Sequence, residues 1–235
     1  MHHVVLEQWS RGRSFLHARD ARAKIPAVLG FLILVATAPA HFEPLALICF
    51  LLLIAGLAAA RLPVMAALRR AGVVLPFCAA FAAISFLAGE PRRALSLLEK
   101  SYLSALAVLL LVGTTPMPQL LRGLDSLGAP RFLLMVAQFL YRYLFVISEQ
   151  AQHMRMAGRC RGGLAGRRAR FRAAAGALAV LFSRSYERAE KIHRSMLSRG
   201  FDGRIPVLAA AGFQALDAAF LAASLSVCLL LRSAA

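Results

Sequence analysis

Acidic side chains are scarce in this chain: 11 Asp and Glu stand against 28 Lys and Arg, a formal net charge of +17. The four cysteines, Cys49, Cys78, Cys160 and Cys228, show no Cys-x-x-Cys spacing, which argues against a disulfide framework or a thiolate zinc site. Three of them fall in apolar runs, where a free thiol behaves as a small hydrophobe. No apolar core precedes Ile25, and Arg11, Arg13, Arg19, Arg22 and Lys24 are spread through the polar start, unlike a cleavable signal peptide. No motif places a nucleophile beside a base, so no catalytic residue is expected. His2, His3, His17, His41, His153 and His193 all avoid the centres of the apolar runs, so no transport-metal site is expected on this chain.

What the chain has in excess is apolar surface. Hydrophobic residues make up 60% of its 235 positions, too many for an ordinary soluble domain, and an all-α integral membrane protein is expected. The basic residues flank the apolar segments instead of spreading evenly. Positive-inside topology and anionic lipid account for that placement, and nucleic acid is not needed as a partner. A pore would show polar, same-face residues in more than one span, and the spans are too uniformly apolar for that.

The apolar runs fall at 25–38, 45–60, 73–88, 95–115 and 207–231, giving five expected spans. A turn at 39–44 and Gly89-Glu90-Pro91-Arg92-Arg93 separate neighbours, Arg61, Arg69 and Arg70 are expected in a basic loop, and Pro116 and Pro118 close the fourth span. Residues 132–147 are apolar enough to look like another span, although Gln138 and Arg142 interrupt them. Crossing there would strand the basic stretch 149–204 on the outer side, against the positive-inside rule. They are read instead as the buried part of a long helix from near Pro130 to near Arg161, lying under or slanting into the bilayer. A second long helix is expected over 167–199, with Phe171, Ala174, Ala175, Leu178, Leu181, Phe182, Ser185, Ala189, Ile192 and Met196 on one face. The chain thus divides into 1–130 (lead-in and four spans), 131–204 (long cytoplasmic helices) and 205–235 (last span). Asp217 is the one acid well inside an expected span, either a contact for a neighbouring subunit or a structural partner of Gln214 or another helix.

Both long helices end in the same figure, a small residue, three others, then Arg-Gly: Ala157 to Arg161-Gly162, and Ser195 to Arg199-Gly200. Positions four apart share a helix face. The small residue admits a close neighbour, and the arginine offers a planar fork of donors for a carboxylate. Glycine after it suits the left-handed turn that ends a helix. A hinge, Gly162-Gly163-Leu164-Ala165-Gly166, follows the first copy.

Four spans, paired basic helices with these two ends, and a last span resemble the T component of energy-coupling factor (ECF) transporters. The lead-in Asp20-Ala21-Arg22-Ala23-Lys24 is similar to that family's Asp-Pro-Arg-x-Lys entry, with Ala21 in place of proline. The close Arg199-Gly200-Phe201-Asp202-Gly203 resembles the CbiQ subgroup for cobalt and nickel, with Ser195 where alanine is usual. The resemblance implies a non-catalytic coupling subunit in a bacterial inner membrane, with the N-terminus and long helices cytoplasmic. It implies as partners two ABC-type ATPases (CbiO-like) that bind ATP, a membrane subunit (CbiM-like) that binds Co2+ or Ni2+, and a small accessory subunit (CbiN-like). Ala157, Arg161, Gly162, Ser195, Arg199 and Gly200 are the implied ATPase-coupling residues. A nickel or vitamin importer, and a membrane scaffold without energy coupling, are the alternatives.

Overall fold

The computed structural model describes residues 9–10, 12, 14–38, 43–161, 166–203 and 214–233, with 43 and 44 given by backbone alone. His2, His3, His41, Gly162, hinge positions 163–165 and the expected start of the last run at 207–213 lie outside the described residues. Among the described residues, regular structure is entirely helical: α1 (Ala21–Thr37), α2 (Glu43–Ala59), α3 (Val64–Ala71), a 3-10 turn (Gly72–Val74), α4 (Leu75–Leu87), α5 (Pro91–Thr114), α6 (Met117–Ser126), α7 (Arg131–Cys160), α8 (Arg167–Leu197) and α9 (Ala215–Ser233). They form two compact units, Met1–Gly128 with Ala211–Ala235, and Ala129–Ala210.

In the first unit, hydrogen bonds at the helix ends fix the directions. The Asp20 backbone N–H donates to Asp217 Oδ1 at the starts of α1 and α9, and Arg232 donates to the Thr37 carbonyl at their ends, so α1 and α9 run parallel. Lys24 donates to the carbonyl of Thr114, while Lys100 donates to that of Ala38, so α5 runs antiparallel to α1. The Leu62 side chain, just past α2, lies against Gly113 near the end of α5. One end of this unit therefore gathers Arg19, Lys24, Leu62, Thr114 and Asp217, and α1, α2, α3–α4, α5 and α9 alternate up and down along the chain.

Its core packs Phe31, Leu34 and Val35 of α1 against Cys49, Leu53 and Leu57 of α2, Ala67 and Ala71 of α3, and Leu103, Leu106 and Ala107 of α5. The outside is as apolar as the inside. Leu47, Leu51, Phe77, Phe81, Ile84, Phe86 and Leu87 are all more than half exposed, a surface suited to hydrocarbon and not to water. Val64–Leu87, Pro91–Thr114, Arg131–Cys160 and Ala215–Ser233 are each long and apolar enough to cross a bilayer, and Leu45–Ala59 is a shorter apolar helix. The protein is an all-α membrane protein.

Two local features depart from the sequence reading. Arg69 and Arg70 are not in a loop but in the last turn of α3, because the helix begins at Val64 and passes through the 3-10 turn into α4. Pro76 falls at the start of α4, where its missing N–H costs nothing. Past the end of α5 at Thr114, Pro116 caps a further short helix, α6, and Pro118 falls in its first turn, where a missing N–H leaves no intrahelical bond unmade. The start of α1 is capped without the family's proline, since the Asp20 carboxylate accepts from the Arg22 N–H at 3.0 Å.

The second unit is a helical hairpin. α7 and α8 have 30 and 31 residues, about 45 Å each at 1.5 Å per residue. Leu181, Ser185, Ile192 and Met196 of α8 are half-buried, a stripe at steps of four and seven. Phe171, Leu178 and Phe182 are 76, 66 and 75% exposed. The single apolar face expected on α8 is thus two adjacent stripes, one partly covered and one bare.

Candidate functional site: the α7 and α8 ends

α8 closes in a complete Schellman turn. Gly200 adopts φ +80°, its N–H donates to the Leu197 carbonyl, and the Phe201 N–H donates to that of Met196, both at 3.0 Å. A left-handed residue at this point turns the chain off the helix axis, so Arg199 stands at the tip with an exposed side chain. Ser195 is exposed one turn earlier on the same face. α7 ends comparably: the Arg161 N–H donates to the Ala157 carbonyl at 3.2 Å, and both residues are exposed. Gly162 lies outside the described residues, so the left-handed turn is seen at the second copy alone.

A cleft of about 620 Å³ runs between α7 and α8. Arg142, Arg184, Arg188, Lys191 and Arg199 line it, and Glu187 is the one acidic residue of its lining. Ser195 also belongs to its wall, so the second small-residue-to-arginine pair borders a strongly electropositive recess. Such a recess attracts a surface rich in carboxylates and disfavours a basic one. The two arginines stand out by their spacing, whereas the recess depends on cations brought together from both helices, and no local motif marks it.

The other concentration of charge lies at the gathered end of the first unit. Asp217 is buried in the first turn of α9, not midway along a span. Its carboxylate accepts from the backbone N–H groups of Asp20 and Gln214, each at 3.2 Å, and faces Arg19 Nη1 at 3.6 Å. Arg19 is itself buried and lies 4.7 Å over the Phe15 ring. Lys24 donates to the Thr114 carbonyl at 3.1 Å and to Thr115 Oγ1 at 3.2 Å. Burial pushes this ammonium, which precedes the apolar run, down to about 8, with Asp20 and Asp217 pulling against the shift. In the sequence Arg19 stands only as a basic residue of the lead-in and Lys24 as the last residue of the entry resembling Asp-Pro-Arg-x-Lys. Their partners lie far along the chain, where no spacing rule reaches.

No group of three or more His, Cys, Asp or Glu side chains with metal-binding geometry occurs among the described residues. His17 is engaged locally. Its Nε2 donates to the Trp9 carbonyl at 2.9 Å, and Nδ1 lies 2.7 Å from the Ser14 hydroxyl. His153 and His193 are exposed on α7 and α8.

A cobalt transport protein CbiQ of Rhodobacter capsulatus is 36% identical over 98 residues, 42% of this chain and 40% of that protein. An uncharacterized protein of Methanocaldococcus jannaschii is 33% identical over 102 residues, 43% of this chain and 38% of that protein. This chain therefore spans about two-fifths of the length of these curated relatives. The sequence pattern of the cobalt transport protein family CbiQ matches residues 12–208, most of the chain, and the protein belongs to that family.

Proposed function

We propose that this chain is the transmembrane coupling subunit of an ATP-driven ECF-type cobalt importer. The observation that carries the reading is the pair of long helices, α7 and α8, each ending on an exposed arginine one turn beyond a small residue. Arg161 and Arg199 each enter a groove on one of two ABC-type ATPases and pair there with carboxylates. The cationic lining of the α7–α8 cleft supports an acidic docking surface on that partner. When the ATPases close on ATP, the two helix tips are drawn together, and the movement passes to a separate membrane subunit that binds the metal. ATP and Co2+ are thus bound by partners, and this chain is a non-catalytic component.

Membership of the cobalt transport family favours cobalt over nickel or a vitamin. The orientation follows from charge. The gathered end of the first unit carries Arg19, Arg22, Lys24, Arg61, Arg69, Arg70 and Arg122, against Arg92, Arg93, Lys100 and Arg232 toward the other end, so it faces the cytoplasm by the positive-inside rule. The α7–α8 unit, with its excess of Lys and Arg, belongs on the same side. The test is transport by Arg161→Ala and Arg199→Ala variants in cells that carry the full set of partners. Truncating one member of a desolvated charge pair costs about 2–5 kcal/mol. Both variants should stay in the membrane and lose uptake-linked ATP hydrolysis; wild-type uptake by the double variant would exclude the mechanism.

A further inference from the structure

The second unit is an insertion: the chain leaves the first unit after α6 and returns to it before α9. Both of these roots are held by one short stretch of the lead-in. At the outgoing root, Lys24 binds the Thr114–Thr115 joint between α5 and α6. α6 itself lies so close to α1 that a Cβ on Gly123 would stand 2.7 Å from Ile25 Cδ1 and 3.1 Å from Ala21 Cβ. At the returning root, Asp217 is held by Arg19 and by the Asp20 backbone.

We propose that Arg19, Asp20 and Lys24 form an anchor that fixes the two roots of the α7–α8 unit to each other, with Asp217 as its counter-piece. These are positioning residues. The anchor is made of charged groups removed from water: Arg19 is 8% exposed, Lys24 4% and Asp217 4%. Among the described residues Arg19 Nε and Nη1 have no hydrogen-bond partner, and the Asp217 carboxylate at 3.6 Å is the acid paired with its charge. Separating the roots uncovers an uncompensated buried charge, which is strongly unfavourable, whereas sliding apolar side chains past one another in lipid is not. Charge is therefore placed where relative motion must be prevented. The interlock also gives the carboxylate that opens the last helix three partners, the backbone N–H groups of Asp20 and Gln214 and the Arg19 guanidinium.

The inference builds on the coupling reading, since an anchor matters where the inserted helices transmit movement; its first test needs no partner. Spin labels at Leu127→Cys and Gln214→Cys, in the full chain with Cys49, Cys78 and Cys228 replaced by alanine and Cys160 by serine, in lipid nanodiscs, report the distance between the roots. A single narrow distribution is expected for the otherwise wild-type chain, and a distribution at least twice as wide for Asp217→Asn and, separately, for Lys24→Met. Unchanged widths in both variants would overturn the anchor. In cells with the partners present, metal taken up per ATP hydrolysed should fall at least tenfold in Asp217→Asn at equal membrane abundance and equal ATPase recovery. An undiminished ratio would equally overturn it. If the wild-type chain recovers no ATPase at all, the coupling reading fails, and the label distances still decide whether the roots are fixed.

Discussion

Replacing Gly200 by alanine isolates the geometry of the α8 tip. At φ +80° a side chain meets the steric penalty of the left-handed region, about 1–2 kcal/mol per residue. No atom lies within 4 Å of where the new Cβ would stand, so packing contributes nothing and the cost is conformational. It falls on the two hydrogen bonds that close the turn, from the Gly200 and Phe201 N–H groups. A loss of 1–2 kcal/mol is a factor of roughly 5–30 in an equilibrium. Amide exchange in a peptide covering 195–203 should therefore accelerate by that factor while the rest of α8 is unchanged. Gly158→Ala provides the contrast. It lies inside α7 with nothing within 4 Å and no left-handed φ, so the same added methyl should favour the helix by about 0.5–1 kcal/mol. Gly200→Asn should fall between, because asparagine tolerates the left-handed region better than alanine. Equal exchange rates in the Gly200→Ala and wild-type proteins would refute the Schellman end and the arginine placement built on it.

Two further outcomes follow from the packing of the first unit. Arg61 is a non-glycine residue at φ 55° that ends α2 in the same kind of turn, with the Leu62 N–H donating to the Leu57 carbonyl. Removing its strain, net of the freedom glycine adds to the unfolded chain, should make Arg61→Gly more stable by about 0.5–1 kcal/mol, read as a higher thermal midpoint in detergent. Gly123→Val should cost about 1–3 kcal/mol through overpacking against Ile25 and Ala21, read in the same assay. Gly128→Ala, also left-handed but open to space, serves as the control for backbone strain alone.

The long helices were legible because their signals are local. The expected bounds near Pro130 and Arg161, and at 167–199, lie close to the observed Arg131–Cys160 and Arg167–Leu197, since proline, a glycine-rich link and a sustained three-to-four periodicity mark them. The turn after Arg199 was legible for the same reason: glycine is the residue a left-handed close selects. Two errors come from context. Arg69 and Arg70 suggested a loop by charge, but a long side chain can leave a helix and bring its charge elsewhere, as Arg70 does over the Trp9 ring at 4.5 Å. The face of α8 looked continuous because neighbouring apolar stripes on a 31-residue helix merge on a projection, and only a partner helix shows which stripe it covers. The Arg19–Asp217 pairing had no sequence signal, since two ends of the chain meet in it.

The central claim is that α7 and α8 deliver two arginines to two ATPases. The most direct measurement is recovery of the tagged chain from its native host by gentle extraction, with identification and counting of what accompanies it. The account predicts two ATP-binding-cassette subunits per chain together with a metal-binding membrane subunit, and loss of the ATPases in the Arg161→Ala/Arg199→Ala variant. Recovery of the chain with partners that bind no nucleotide, or ATPase recovery unaffected by removing both arginines, would contradict it.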